Sequence, residues 1–190
     1  MSTMNTFSGK KFDPMEICPD DIRLDDIAHA LSLLCRGGGH MKYFYSVGQH
    51  SINCMKEAKA RGWSKRMQFA CLMHDASEAY ISDIIRPVKV HLENYLEIED
   101  MIAGKILEKF WLEDLTEEEN KKWKQIDDDI LSHELKMLMA GERDSNPQPL
   151  HAVPDLSERA WRDVEKEFLA LAEELSEEIK RDKMTAGNRK

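Results

Sequence analysis

Apolar residues recur at helical spacing along most of the chain, and this pattern constrains the fold more than any other feature. Ile27, Leu31 and Leu34 fall at i, i+4 and i+7, and Ile52, Met55 and Ala58 share a face. Val88, Leu92, Tyr95, Ile102, Ile106 and Phe110 keep the rhythm for more than twenty residues, as one long helix or two with a break. Trp123, Ile126, Ile130, Leu131, Leu135 and Leu138 form another stripe, and Ala160, Trp161, Val164, Phe168, Leu171, Leu175 and Ile179 a last one. Such spacing lines one side of a 3.6-residue helix, whereas a half-buried strand would alternate. The expected class is all-α, a single-domain helical bundle, with a short hairpin around Ser8-Gly9 in the N-terminal arm.

Punctuation residues divide the chain. Gly9, Pro14 and Pro19 make residues 1–19 an irregular arm. The helical domain is expected over 20–182, with a polar, flexible tail over 183–190. An Asp is expected to cap the first helix from Asp20 or Asp25, and Gly37-Gly38-Gly39 to stop it. The second is expected from Val47 to Ala60, and Ser64 is expected to cap the third. Asp83 to Pro87 reads as loop, because the residue before a proline avoids the helical region. Thr116-Glu117-Glu118-Glu119 is a capping box. Pro147, Pro149 and Pro154 indicate an extended connection, after which Ser157 is expected to cap the last helix.

At 190 residues and 42% hydrophobic, the chain can bury a core without disulfides. Its formal net charge of −9 repels a polyphosphate backbone, which argues against a nucleic-acid polymer as partner. Cys18, Cys35, Cys54 and Cys71 form no Cys-x-x-Cys pair, and there is no long apolar stretch of a leader or a membrane span. These features lead to the expectation of a reduced, cytoplasmic location away from membranes.

The segment from His74 to Asp83 carries His74, Asp75, Glu78 and Asp83 directly after the apolar run Met67 to Met73. Imidazole and carboxylate together suit divalent first-row transition metals, and a mixed set with open positions is a hydrolytic pattern. His50 and the run Asp127-Asp128-Asp129 offer further donors on other helices. Facing helices of a bundle can bring such groups to one point. Cys54 and Cys71 lie four residues after His50 and three before His74, and read as small apolar residues behind the site. His29, His91, His133 and His151 read as surface or structural.

Tyr45-Ser46-Val47-Gly48-Gln49-His50-Ser51, His74-Asp75-Ala76-Ser77-Glu78 with Asp83 and Pro87-Val88-Lys89, and Lys124-Gln125-Ile126-Asp127 together resemble the HD-domain phosphohydrolases. The match is closest to the small 5′-deoxynucleotidase-like branch and is similar to phage HD enzymes that hydrolyse dATP. It runs from about Asp25 to Leu138. The resemblance implies that His50, His74, Asp75 and Asp127 bind one divalent metal, with Co, Mn, Zn or Fe preferred over Mg. It implies Glu78 as general acid/base beside the metal-activated water, four residues after His74 on one helical face. Asp83 is expected on the sugar 3′-hydroxyl and Arg36 on the substrate phosphate, with His40, Lys42 and Lys89 as further phosphate contacts. Asp128 and Asp129 rival Asp127, and the Lys-x-x-Asp register favours Asp127. Where that branch carries a tryptophan after the arginine, this chain has Gly37; Phe44, Tyr43 and Tyr80 are the candidate replacements. The implied substrate is a deoxynucleoside monophosphate or a triphosphate such as dATP, and the implied assembly a homodimer or larger. The alternative is a non-catalytic helical module that binds a metal or a nucleotide.

Overall fold

The computed structural model describes residues 2–141 and 146–187. Two short strands, β1 (Met4–Asn5) and β2 (Lys11–Phe12), pair antiparallel, and the rest of the regular structure is helical. The expected hairpin is present. Its turn is fastened to the domain by the Asp26 carboxylate, which accepts from the Ser8 backbone N–H at 2.6 Å and its hydroxyl at 2.8 Å.

The helices are α1 (Leu24–Leu33), α2 (Val47–Ala60), α3 (Lys65–Met73), α4 (Glu78–Ile81), α5 (Arg86–Lys89), α6 (Glu93–Lys109), α7 (Glu117–Leu138) and α8 (Trp161–Gly187). Helices α1, α2, α3 and α8 pack around Ile27, Leu31, Ile52, Phe69, Leu72, Phe168 and Ala172. On the other side, α7 packs on α2 and α3 over Cys54, Ala58, Cys71, Ile126 and Ile130. Helix α2 thus lies in the middle, with 11 of its 14 residues buried. No helix among the described residues is long and apolar enough to cross a membrane.

Several boundaries follow the expected chemistry. Ser46 and Ser64 cap α2 and α3 by accepting from the amides of Gln49 and Met67. Both halves of the Thr116/Glu119 capping box are made. Others depart from expectation. The N-cap of α1 is Arg23, without a side-chain bond, because Asp25 is engaged by the Arg23 guanidinium and Asp26 by the hairpin. Helix α1 also stops before the glycines; Gly37 and Gly38, at φ 62° and 61°, shape a separate short turn over Arg36–Gly39. The stretch expected as loop up to Pro87 contains the start of α5, where a proline in the first turn lacks only an N–H that would be unpaired anyway. The long apolar rhythm after it divides into α5 and α6. Ser157 does not cap α8; its hydroxyl donates to Asp155, and the helix begins at Trp161. Residues 183–187, expected as flexible tail, continue α8, and residues 188–190 lie outside the described residues.

A row of polar residues on α2 replaces apolar packing where the proline-containing connection crosses it. Gln49 donates to the carbonyls of Asp155 and Ser157, and Asn53 exchanges hydrogen bonds with the backbone of Asp155. Glu57 accepts from the amides of His151 and Ala152 and from Arg61 at 2.7 Å. At i, i+4 and i+8 these three supply partners for a backbone that has no ladder of its own. Glu57 is fully buried. Burial favours its neutral form, but the two amides and Arg61 prevail and hold its carboxyl below the ordinary value. Because Arg61 keeps Asp129 as a partner, Glu57→Ala is expected to lower stability chiefly by leaving the His151 and Ala152 amides unpaired, by about 1–3 kcal/mol, and Glu57→Gln by less, both read from urea unfolding. With a depressed native pKa, the Glu57 contribution is complete above its unfolded value near about pH 4.3 and is lost as pH falls through the native one.

Candidate metal centre

His50 stands in the first turn of α2, His74 caps the C-terminus of α3 with Asp75 next to it, and Asp127 lies midway along α7. The packing of α7 on α2 and α3 brings them together. His50 Nε2 is 3.3 Å from His74 Nε2, 3.1 Å from Asp127 Oδ1 and 3.9 Å from Asp75 Oδ2. His74 Nε2 is 3.1 Å from Asp75 Oδ2 and 3.7 Å from Asp127 Oδ1. Donors at about 2.1 Å from one ion stand about 3.0 Å apart at a right angle, about 3.4 Å at the tetrahedral angle and about 4.2 Å when opposite. Every measured pair falls inside that range.

The outer nitrogens orient both rings. His74 Nδ1 lies 2.9 Å from the Cys71 carbonyl oxygen, which can only accept, so Nδ1 carries the hydrogen. His50 Nδ1 lies 2.7 Å from Glu134 Oε1, a carboxylate with no solvent exposure. In neutral imidazoles, both Nε2 atoms then turn lone pairs towards each other. Lone pairs at 3.3 Å require a positive charge between them, a proton or a metal ion. Outer partners of this kind are what metal-ligating histidines usually have.

Cys54 is closer to this centre than a merely apolar neighbour would be. Its Sγ is 3.4 Å from His50 Nε2, and the ligand atoms of His50, Cys54 and His74 lie within 4.8 Å of one another, a cluster that could hold a metal ion. Burial, with the negative charges of Asp127 and Glu134, pushes the Cys54 thiol up, so it stays protonated. The carboxylates differ. Burial disfavours the charged forms of Asp75 and Asp127, but the adjoining imidazoles hold both well below the usual carboxylate range. Two carboxylate oxygens are thus charged at neutral pH, and with the two Nε2 atoms, once their protons are displaced, the donor set fits a divalent ion.

The helical rotation distributes the triple Asp run, with Asp127 and Asp128 sharing Arg86 and Asp129 paired with Arg61. Asp127 Oδ1 faces the histidines while Oδ2 is 3.3 Å from Arg86 Nη2; Asp128 accepts from Arg86 at 2.8 Å, and Asp129 from Arg61 at 2.7 Å. A cavity of about 590 Å³ opens beside the centre, lined by His74, Asp75 and Asp127 together with Arg86, Lys89 and Trp123.

The remaining expected residues are scattered in their placement. Arg36 is buried, with Nη1 3.0 Å from Asp75 and Nε 3.4 Å from Glu134. Lys89 lines the cavity, its Nζ 2.5 Å from Glu99. Lys42 does not; its amino group is bonded to the Met137 carbonyl at the end of α7. His40 is exposed and likewise outside the cavity lining. Asp83 is half-buried, and burial, opposed by Arg36, raises its carboxyl.

Glu78 is 4% exposed and its Oε2 has no hydrogen-bond partner. It is not four residues along a continuous helix from His74. From Ala76 to Tyr80 each amide bonds the carbonyl three residues back, except that of Ser77, so the path tightens. At three residues per turn, Glu78 eclipses Asp75 instead of His74. Burial, then the charges of Asp75 and Asp83, pushes its carboxyl up to about 9.

Three residues at the site were not singled out from the sequence as functional. Trp123, read as core, tilts against the His74 ring at 5.7 Å and walls the cavity, while Tyr43 and Tyr80 are engaged elsewhere. Arg86 carried no motif. Glu134 did leave a signal: Ile126, Ile130, Glu134 and Leu138 form one i+4 row, and an acid in an apolar row asks for a buried partner.

No family model matches the chain. Over 112 residues, 59% of this chain, it is 44% identical to the uncharacterized protein YfdR of Escherichia coli strain K12, covering 60% of that protein. Over 111 residues, 55% of this chain, it is 36% identical to the uncharacterized protein RCAP_rcc00048 of Rhodobacter capsulatus, covering 56%. The chain thus spans less than two thirds of the length of these relatives.

The charge balance sets a pH dependence for metal uptake. Burial and Arg36 disfavour a charged His50, and burial a charged His74, yet the surrounding carboxylates raise both rings above the ordinary value. A metal entering near neutral pH must displace those protons. Calorimetric titration with Zn or Mn in buffers of different ionisation enthalpy should show proton release on binding, and affinity should fall as pH is lowered from 8 to 6.

Proposed function

We propose that this protein is a metal-dependent phosphohydrolase acting on small deoxynucleotides, deoxynucleoside 5′-monophosphates or triphosphates such as dATP, like the HD-domain enzymes its motifs resemble. The observation that carries this reading is the convergence of His50 Nε2, His74 Nε2, Asp75 Oδ2 and Asp127 Oδ1, with both outer imidazole nitrogens tied to acceptors. Two imidazoles and two carboxylates suit Co, Mn, Zn or Fe better than Mg, which favours oxygen ligands and retained water. When bound, a divalent ion supplies positive charge to a phosphoryl oxygen and lowers the pKa of water.

The residues of the chain do the rest. Glu134 and the Cys71 carbonyl hold the two rings with Nε2 inward. Arg36 keeps Asp75 in place as a buried counter-charge. In the hydrolysis a water oxygen bonds to phosphorus, the ester or anhydride P–O bond breaks, and the leaving oxygen takes up a proton. Glu78, buried and with an unpartnered oxygen, is the group assigned to carry that proton. Asp83 is assigned to the sugar 3′-hydroxyl and Lys89, on the cavity wall, to the phosphate end. The cavity of about 590 Å³ accommodates a small organic phosphate.

The test strips the protein of metal, reloads it with Co, Mn, Zn or Mg, and offers mono-, di- and triphosphates of ribo- and deoxyribonucleosides. Phosphorus NMR separates phosphate, pyrophosphate and triphosphate as products. Asp75→Ala should lose metal and turnover together. Glu78→Ala should keep the metal and lose about 10²–10⁴ in rate. Absence of turnover above the Asp75→Ala background with every metal would overturn the reading.

A further inference from the structure

Among the described residues two arginines, Arg36 and Arg86, stand within reach of the centre, and their surroundings divide them. The Arg36 side chain is 10% exposed and lies between Asp75 and Glu134. If it turned towards a ligand, the Glu134 carboxylate, with no exposure, would lose its cation inside the protein, which is strongly unfavourable. Arg36 is committed to holding the fold of the site.

Arg86 is the reverse case. It sits on the short helix α5 at the cavity wall, with a side chain 60% exposed. It spends one N–H on Asp128, at 2.8 Å, and one on Asp127 Oδ2, at 3.3 Å. A guanidinium has five N–H donors, so three remain. Asp128 is 55% exposed, and letting go of such a partner costs little because water replaces it. Arg86 also contacts the carboxylate whose other oxygen faces His50 and His74, which puts its remaining donors one residue's width from the centre. Lys89 shares the wall but is held by Glu99. Lys124 also lines the cavity, with its amino group 5.5 Å from the Trp123 ring centroid.

We propose that Arg86, and not Arg36, receives the phosphate of the ligand: it bridges Asp127 and a phosphoryl group at the centre, while Asp128 keeps it parked at the cavity wall until the anion arrives. The inference rests on the reading of the centre as a phosphate-handling metal site. It adds a residue that the motifs do not mark and moves the phosphate contact from the buried arginine to the exposed one. A planar guanidinium matches two phosphate oxygens, which a lysine at the same place cannot do.

The experiment uses the Mn-loaded protein with inorganic phosphate as probe, its binding read from the paramagnetic relaxation of the phosphorus signal. Arg86→Gln should weaken phosphate binding about tenfold or more, the scale of a charge-assisted pair, with Mn still bound, and Arg86→Lys should fall between. Asp128→Asn, which removes the parking partner, should tighten phosphate binding. A purely structural Arg86–Asp128 ion pair would shift both variants the same way, and that outcome would overturn the proposal. So would phosphate affinity within twofold of wild type in Arg86→Gln, or no phosphate binding by the wild type. The nucleotide panel separates the two readings. Turnover with unchanged phosphate affinity in Arg86→Gln sinks this inference alone; phosphate binding that depends on Arg86 without any turnover sinks the hydrolase reading alone.

Discussion

The carboxylate of Glu134 has no contact with solvent, and the arrangement of the centre depends on how that charge is satisfied. It lies between His50 Nδ1 and the Tyr45 hydroxyl, each at 2.7 Å from Oε1, with Arg36 Nε 3.4 Å from Oε2. A charge in that position is tolerable only when paired and hydrogen-bonded. Satisfying it fixes three other things: the tautomer of His50, the position of Arg36 and, through Arg36, the orientation of Asp75. The donors facing the candidate ion are thus set by a group that never touches it.

The connection after α7 is held in the same way. Asn53 donates both to Tyr45 Oη and to the Asp155 carbonyl, so one side chain joins the Glu134 network to the extended segment before α8. Gln49 and Glu57 hold that segment on either side. Helix α2 therefore serves two faces. Its apolar residues Ile52 and Met55 belong to the main core, whereas Gln49, His50, Asn53 and Glu57 are buried with partners that come from distant parts of the chain. A helix so largely buried can carry Gln49, His50, Asn53 and Glu57 because each of them meets a donor or acceptor.

Much of this was legible in the sequence. The spans of α2 and the capping boxes rest on local chemistry, since a serine or threonine oxygen reaches an amide two or three residues on without help from elsewhere. The meeting of His50, His74, Asp75 and Asp127 was an expectation from motif resemblance, and the geometry brings those four together. The sequence does not show the path from His74 to Glu78, because a change from a 3.6- to a 3-residue turn leaves no mark on composition. Ser157 failed as a cap for a similar reason: Asp155, two residues away, claimed its hydroxyl.

By itself the sequence determined the helical class, the starts of α2, α3 and α7, and an inventory of donors able to hold a metal. These depend on side-chain spacing and on bonds between near neighbours. Only the tertiary structure decided which charges pair: that Arg36 is buried against Glu134 and Asp75, that Arg86 is left at the cavity with donors to spare, that Lys42 is spent on the end of α7, and that Trp123 forms a wall. The physical reason is that an ion pair across 40 or 100 residues of chain depends on which helices meet and at what rotation, and no local rule carries that information.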